Sequence, residues 1–186
     1  MHHDEMWQVY APNGEAIPGE GWDSALGNPK YEESKAIIGG VVVFLYRINI
    51  DGELEFLWQK RSMEVDRDSG YYDTSTSGHV NLGETPVEAS IREVKEEIGA
   101  KIETGELKFV TSVSVDQNTM AWMYLVDWTG RPDKFIFDDG EVSKVKWIKY
   151  DEMENFRKTF ARESLRRADL SFLQLDVWLR AWGLLN

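Results

Sequence analysis

The chain has 186 residues, 42% of them hydrophobic, with eight Trp, seven Tyr and eight Phe. That supplies a core for one domain and excludes disorder of the whole chain. A formal net charge of −12 argues against partners such as duplex nucleic acid or an anionic membrane surface, which select for Lys and Arg. The absence of cysteine excludes disulfides, thiolate metal sites and cysteine nucleophiles. The opening MHHDEMW is too polar for a signal peptide, and no apolar run reaches membrane-spanning length. A cytoplasmic location is the expectation.

Residues 1–35 are rich in Gly and Pro and read as an N-terminal extension. Within them Asn13-Gly14 predicts a turn between short strands near 7–10 and 15–18. The run IIGGVVVFLYRINI is strongly strand-forming. Asp51-Gly52 and ELEFLWQKR follow it and predict a second hairpin. Residues 62–77 read as a long loop, of a length that is usually functional. A helix is predicted over 85–98. Thr85 is its N-cap, Pro86 its first residue, Glu88 its capping-box partner and Gly99 its stop. Strands are predicted at about 108–116 and 120–128, and over EVSKVKWIK after the TGRPD turn. DEMENF predicts a short helix, and residues 160–183 one or two more. The order predicts an α/β/α sandwich around a mixed sheet, in a single domain over 1–186 that residues 150–186 close with helices.

The helix over 85–98 carries the chemistry. At 3.6 residues per turn, Val87, Ile91, Val94 and Ile98 fall in one arc and predict a buried stripe. Glu93, Glu96 and Glu97 fall in another. Three like charges at adjacent helical positions destabilise one another. They also lie near the helix C-terminus, where the dipole disfavours negative charge. Arg92 offsets only part of this. A divalent cation would relieve the whole cluster, because hard cations such as Mg²⁺ prefer carboxylate oxygens. The alternative is a solvated acidic face.

The segment Gly78-HVNLG-Glu84-TPVEASI-Arg92-Glu93-Val94-Lys95-Glu96-Glu97-Ile98-Gly99-Ala100 resembles the Nudix box, G-x5-E-x7-R-E-U-x-E-E-x-G-U with U aliphatic. Every fixed position is present, and the neighbouring elements fit the family's fold over 35–150. The resemblance implies a metal-dependent hydrolase that cleaves a diphosphate linkage in a small organic substrate by water attack at phosphorus. The substrate would be a nucleoside di- or triphosphate or a related diphosphate. It implies that Glu93, Glu96 and Glu97 hold Mg²⁺ or Mn²⁺ with the Gly78 carbonyl. Arg92 would orient the glutamates and Glu84 would support the loop. One glutamate or a later acid, for which Glu141 is the candidate, would position or deprotonate the water.

Upstream, QKRS…SGYYDTSTSGHVNLGE is similar to the isopentenyl-diphosphate isomerase-like branch. Two isomerase features are missing. Ser77 stands where the isomerases place a catalytic cysteine, and KAIIGGVVVF replaces their histidine-bearing segment. A hydrolase on an isomerase-like frame is therefore expected. An isomerase and a non-catalytic binding module for a diphosphate ligand are the alternatives. In this branch the residues matching Lys60 and Arg61 face the diphosphate. Tyr72, His79 and Trp122 are candidate substrate contacts, each set against ordinary packing. The stripe Phe172, Trp178 and Trp182 is expected in the core or at a homodimer contact.

Overall fold

The computed structural model describes residues 6–11, 13–23, 37–114, 118–166 and 169–185. Its first hairpin is β1 (Met6–Tyr10) and β2 (Ala16–Asp23), paired antiparallel. Asn13 and Gly14 turn the chain there, with Gly14 at φ 84°. The second hairpin is β3 (Ile37–Ile48) and β4 (Leu54–Arg61). Gly52 supplies the left-handed residue of its turn, at φ 80°.

The predicted loop 62–77 is only partly a loop. It contains β5 (Tyr72–Asp73), which pairs with β4, and runs into β6 (Thr76–His79), which pairs with β3. These strands are too short to show the alternation that marks a strand in sequence. The helix α1 spans Pro86–Ile98, with the Thr85–Glu88 capping box formed in both directions. Gly99 closes it in the left-handed conformation, and its N–H donates to the Lys95 carbonyl. A short 3-10 turn over Thr104–Glu106 leads to β7 (Lys108–Ser114) and β8 (Thr119–Asp127). β9 (Val142–Lys149) pairs with β4. The helices α2 (Tyr150–Phe160), α3 (Glu163–Arg166) and α4 (Asp169–Ala181) follow.

β3 organises the curled mixed sheet. Its Ile38–Tyr46 stretch pairs in parallel with β8. Its other edge is shared in succession by β1, β6 and β4, all antiparallel. β6 and β4 must therefore part company along β3. At that fork the Ser75 hydroxyl accepts from the Leu45 N–H at 2.8 Å and donates to the Leu57 carbonyl at 2.6 Å. A side chain thus replaces the ladder bond that the fork removes.

Alternation along β3 divides the core. Val42, Phe44 and Tyr46 face a cluster that includes Met153, Phe156, Leu175 and Leu179 of the C-terminal helices. Val43 and Leu45 face Val94 and Ile98 of α1. The predicted α/β/α layering is therefore present. Phe172 joins the first cluster, with its ring parallel to Trp58, whereas Trp178 is exposed beside Trp182. Among the described residues no helix is long and apolar enough to cross a membrane.

The capping box should contribute measurably to stability. Replacing Thr85 by Ala removes the side-chain acceptor for the Glu88 N–H, at a cost of about 1 kcal/mol. Urea unfolding is expected to show a lower midpoint at an unchanged slope. An unchanged midpoint would mean that the box does not hold the helix in solution.

Candidate active site

The helical wheel placed all three glutamates on one acidic face, and the structure corrects this. Ala89, Ser90, Val94, Glu97 and Ile98 are the buried residues of α1, while Val87 and Ile91 are only half-buried. The helix is rolled so that Glu97 turns inward. Glu93 is half-buried and Glu96 exposed.

Gly78 explains how α1 approaches the sheet. It lies in β6 opposite Val41. A Cβ built on it would overlap the Glu93 carboxylate, so only glycine lets that carboxylate lie against the strand.

Arg92 ties the site together. Its Nε and Nη2 donate to the two carboxylate oxygens of Glu84, at 2.9 and 3.1 Å. Nη2 also donates to the His79 carbonyl at 2.8 Å. Nη1 donates to Glu93 at 2.7 Å and to Glu96 at 3.0 Å. Burial opposes the charge of Arg92, but hydrogen bonds to Glu84 and the charge of Glu93 outweigh it, and its pKa is raised above the ordinary value. Glu84 in turn accepts from the Asn81 N–H at 3.0 Å.

Among the described residues Glu97 has no such cation. Its carboxylate accepts from the Ser77 N–H at 3.0 Å and from Gln59 Nε2 at 3.3 and 3.2 Å. Burial pushes its pKa well above the usual carboxylate range, and the charges of Glu93 and Asp73 push the same way. The hydrogen bonds from Ser77 and Gln59 oppose them. Asp73 is fully buried and pairs with Arg162 Nε at 2.9 Å.

The other sequence candidates divide. His79 lies at the site, with its ring stacked on Trp7 at 3.7 Å and 11° between planes. Arg61 reaches back to the Arg67 carbonyl at 3.1 Å and holds the 62–70 loop. Lys60 and Tyr72 are adjacent, with Nζ 6.0 Å from the ring centroid. By strand alternation Lys60 lies on the sheet face opposite Gln59. Trp122 packs on Tyr10, Val41, Val80 and Ala89, beside the first turns of α1 and away from the glutamates at its end. Glu141 is placed by its backbone. Its carbonyl accepts from the Ser62 N–H at 2.7 Å and its N–H donates to Asp139 at 2.9 Å.

Three contributors escaped the sequence reading: Gln59, Arg162 and Trp7. Gln59 shares its strand face with Glu55, Leu57 and Arg61 by alternation, so a polar residue there does not stand out in the sequence. For Arg162 and Trp7 the sequence carries no local signal, because their partners are distant in the chain.

Among the described residues, no three carboxylate or imidazole groups stand ready as a metal cage. Arg92 occupies Glu93 and Glu96. The residues nonetheless suit a divalent ion. The donor set is all carboxylate oxygen, the preference of Mg²⁺ and Mn²⁺. The Gly78 cradle brings Glu93 against β6, and Glu97 lies beside it as a buried acid. Glu93, Glu96 and Glu97 would hold the ion.

The family model described as the NUDIX domain matches residues 39–168. The chain belongs to the Nudix family. It is 26% identical over 145 residues to Nudix hydrolase 3 of Arabidopsis thaliana; that match covers 70% of this chain and 17% of the relative. The chain thus spans about a sixth of that protein. The DR0079 structure from Deinococcus radiodurans superposes with a TM-score of 0.62 at 20% identity, covering 92% of this chain and 98% of that one. A C. elegans Ap4A hydrolase complex superposes with a TM-score of 0.56 at 19% identity, covering 79% and 99%. These structures share the fold. Nudix hydrolases generally use divalent metal ions.

The raised pKa of Glu97 has a signed consequence. A carboxyl whose pKa rises on folding favours the native state fully below its unfolded value, and that stability is lost as pH climbs through the folded value. Without metal, wild type is expected to lose stability from the ordinary glutamate range upward. Glu97→Gln should flatten this trend and unfold at higher urea than wild type at pH 7. A variant less stable than wild type at pH 7 would contradict the assignment.

Proposed function

We propose that this chain is a metal-dependent diphosphohydrolase acting on a nucleoside di- or triphosphate or a related organic diphosphate. One observation carries the reading: Glu93 lies against Gly78 and Glu97 is buried one turn further on among like charges, with Glu96 exposed beside them at the end of α1. The complete Nudix box and the likeness to an Ap4A hydrolase support it.

In this reading the chain's own residues bind, orient and hold. The three glutamates bind Mg²⁺ or Mn²⁺, with the Gly78 carbonyl as a further donor. Arg92 keeps Glu93 and Glu96 aligned through Glu84, and one glutamate positions or deprotonates the attacking water. The bound ion supplies charge neutralisation on the diphosphate and activation of that water. Positioning and electrostatics are then the protein's main contribution. His79, Arg61 and the Lys60–Tyr72 pair are the candidate substrate contacts. Glu141 is the reserve candidate for the base. The chain acts as one Nudix domain in the cytoplasm, with β1 hydrogen-bonded to residues 80–83 through Met6 and Gln8. It works either alone or as a homodimer.

Phosphate-release assays on a panel of nucleoside di- and triphosphates, dinucleoside polyphosphates and prenyl diphosphates, with Mg²⁺ and with Mn²⁺, test this. Wild type is expected to turn over at least one substrate. Glu96→Gln and Glu97→Gln should each lose at least about 100-fold, as for groups that act directly on the transition state. Equal rates in wild type and both variants would refute the proposal.

A further inference from the structure

Glu97 is held by a side chain outside the Nudix box. Gln59 is completely buried, in the middle of β4. Its Nε2 lies 3.3 and 3.2 Å from the two carboxylate oxygens of Glu97. Its Oε1 is buried and accepts no hydrogen bond among the described groups. The amide is thus oriented by its N–H side, and that side is committed to Glu97.

A second acid could compete for this amide. Asp73 is the direct strand partner of Gln59 and is equally buried. Its oxygens are otherwise engaged, however. Oδ1 accepts from the Thr74 N–H at 2.8 Å, and Oδ2 faces Arg162 Nε at 2.9 Å. The backbone N–H of Arg162 donates to the Tyr72 carbonyl at 3.0 Å, which places the arginine beside β5. Arg162 therefore absorbs the demand of Asp73 and leaves the amide to the glutamate.

We propose that Gln59 is the positioning residue of Glu97: of Glu93, Glu96 and Glu97 it fixes the one that no arginine reaches among the described residues, and it sets the affinity of the site for its divalent ion. This rests on the metal-binding reading above. A buried carboxylate with a single rotatable end needs donors on more than one side to keep its lone pairs aimed. The Ser77 N–H supplies one side and Gln59 the other.

The test is Mn²⁺ binding to the full chain, followed by electron paramagnetic resonance of the free ion, with circular dichroism and urea unfolding alongside. Gln59→Met keeps length and volume and removes the amide. It is expected to fold and to bind Mn²⁺ about 10- to 100-fold more weakly, the usual loss when a partner of a metal ligand is removed. Gln59→Asn keeps the amide on a shorter stem and should fall between Gln59→Met and wild type; it decides the matter if Gln59→Met does not fold. A purely structural role would lower the urea midpoint and leave Mn²⁺ affinity unchanged, which would overturn the proposal. Glu97→Gln separates the two readings. If it binds Mn²⁺ as wild type does, the metal-site assignment fails. If it loses Mn²⁺ while Gln59→Met retains it, only the role of Gln59 fails.

Discussion

A single guanidinium holds this site in shape. Arg92 joins the helix that carries it to a loop acid, Glu84, and to the backbone of β6 at His79. It also restrains two neighbouring glutamates. A planar fork with five donors can serve four partners at fixed angles, and a lysine could not. Without it, Glu93 and Glu96 would repel each other at a helix end that already disfavours negative charge. The loop 79–84 would lose its link to the helix. The acidic end of the helix is thus held in order by an internal cation.

Glu97 is treated differently, and the sheet explains why. The strands β6 and β4 diverge along β3, and Ser75 fills the fork. Gln59 and the Ser77 N–H meet the glutamate next to that divergence. An unbroken sheet would spend the Ser77 N–H on its own ladder. Here that N–H goes to a side chain, and the Gln59 amide joins it. The cost is a buried acid near two others, which burial and repulsion disfavour. Such local instability suits a group whose partner arrives from solution.

Much of this was legible in the sequence. The hairpins at Asn13-Gly14 and Asp51-Gly52 and the capped helix with its glycine stop follow from short-range chemistry. So does the motif running from Gly78 to Ala100. The inward roll of α1 was not legible. A helical wheel ranks Ile91 above Glu97 for burial, and only the donors on β4 and β6 reverse that order. Gln59 and Arg162 act through pairings between segments far apart in the chain. The strand assignment inside 62–77 failed because two- and four-residue strands are too short to show a period. For Trp122 the sequence leaves substrate contact and ordinary packing both open, and the partner it packs on, Tyr10, comes from the distant N-terminal hairpin.

The parallel union of β3 with β8 bears on how the molecule assembles. Ile38 pairs with Thr119, and contacts between residues about eighty positions apart are slow to form, because the loop must close before they are rewarded. Most of what builds the site lies inside that loop: β4, β6, Arg92 and α1; Trp7 and Arg162 join from either side of it. The central strand gains its second neighbour only once the intervening chain is organised. A chain that stops before residue 119 would therefore carry an intact motif but lack β8, the parallel neighbour of the central strand.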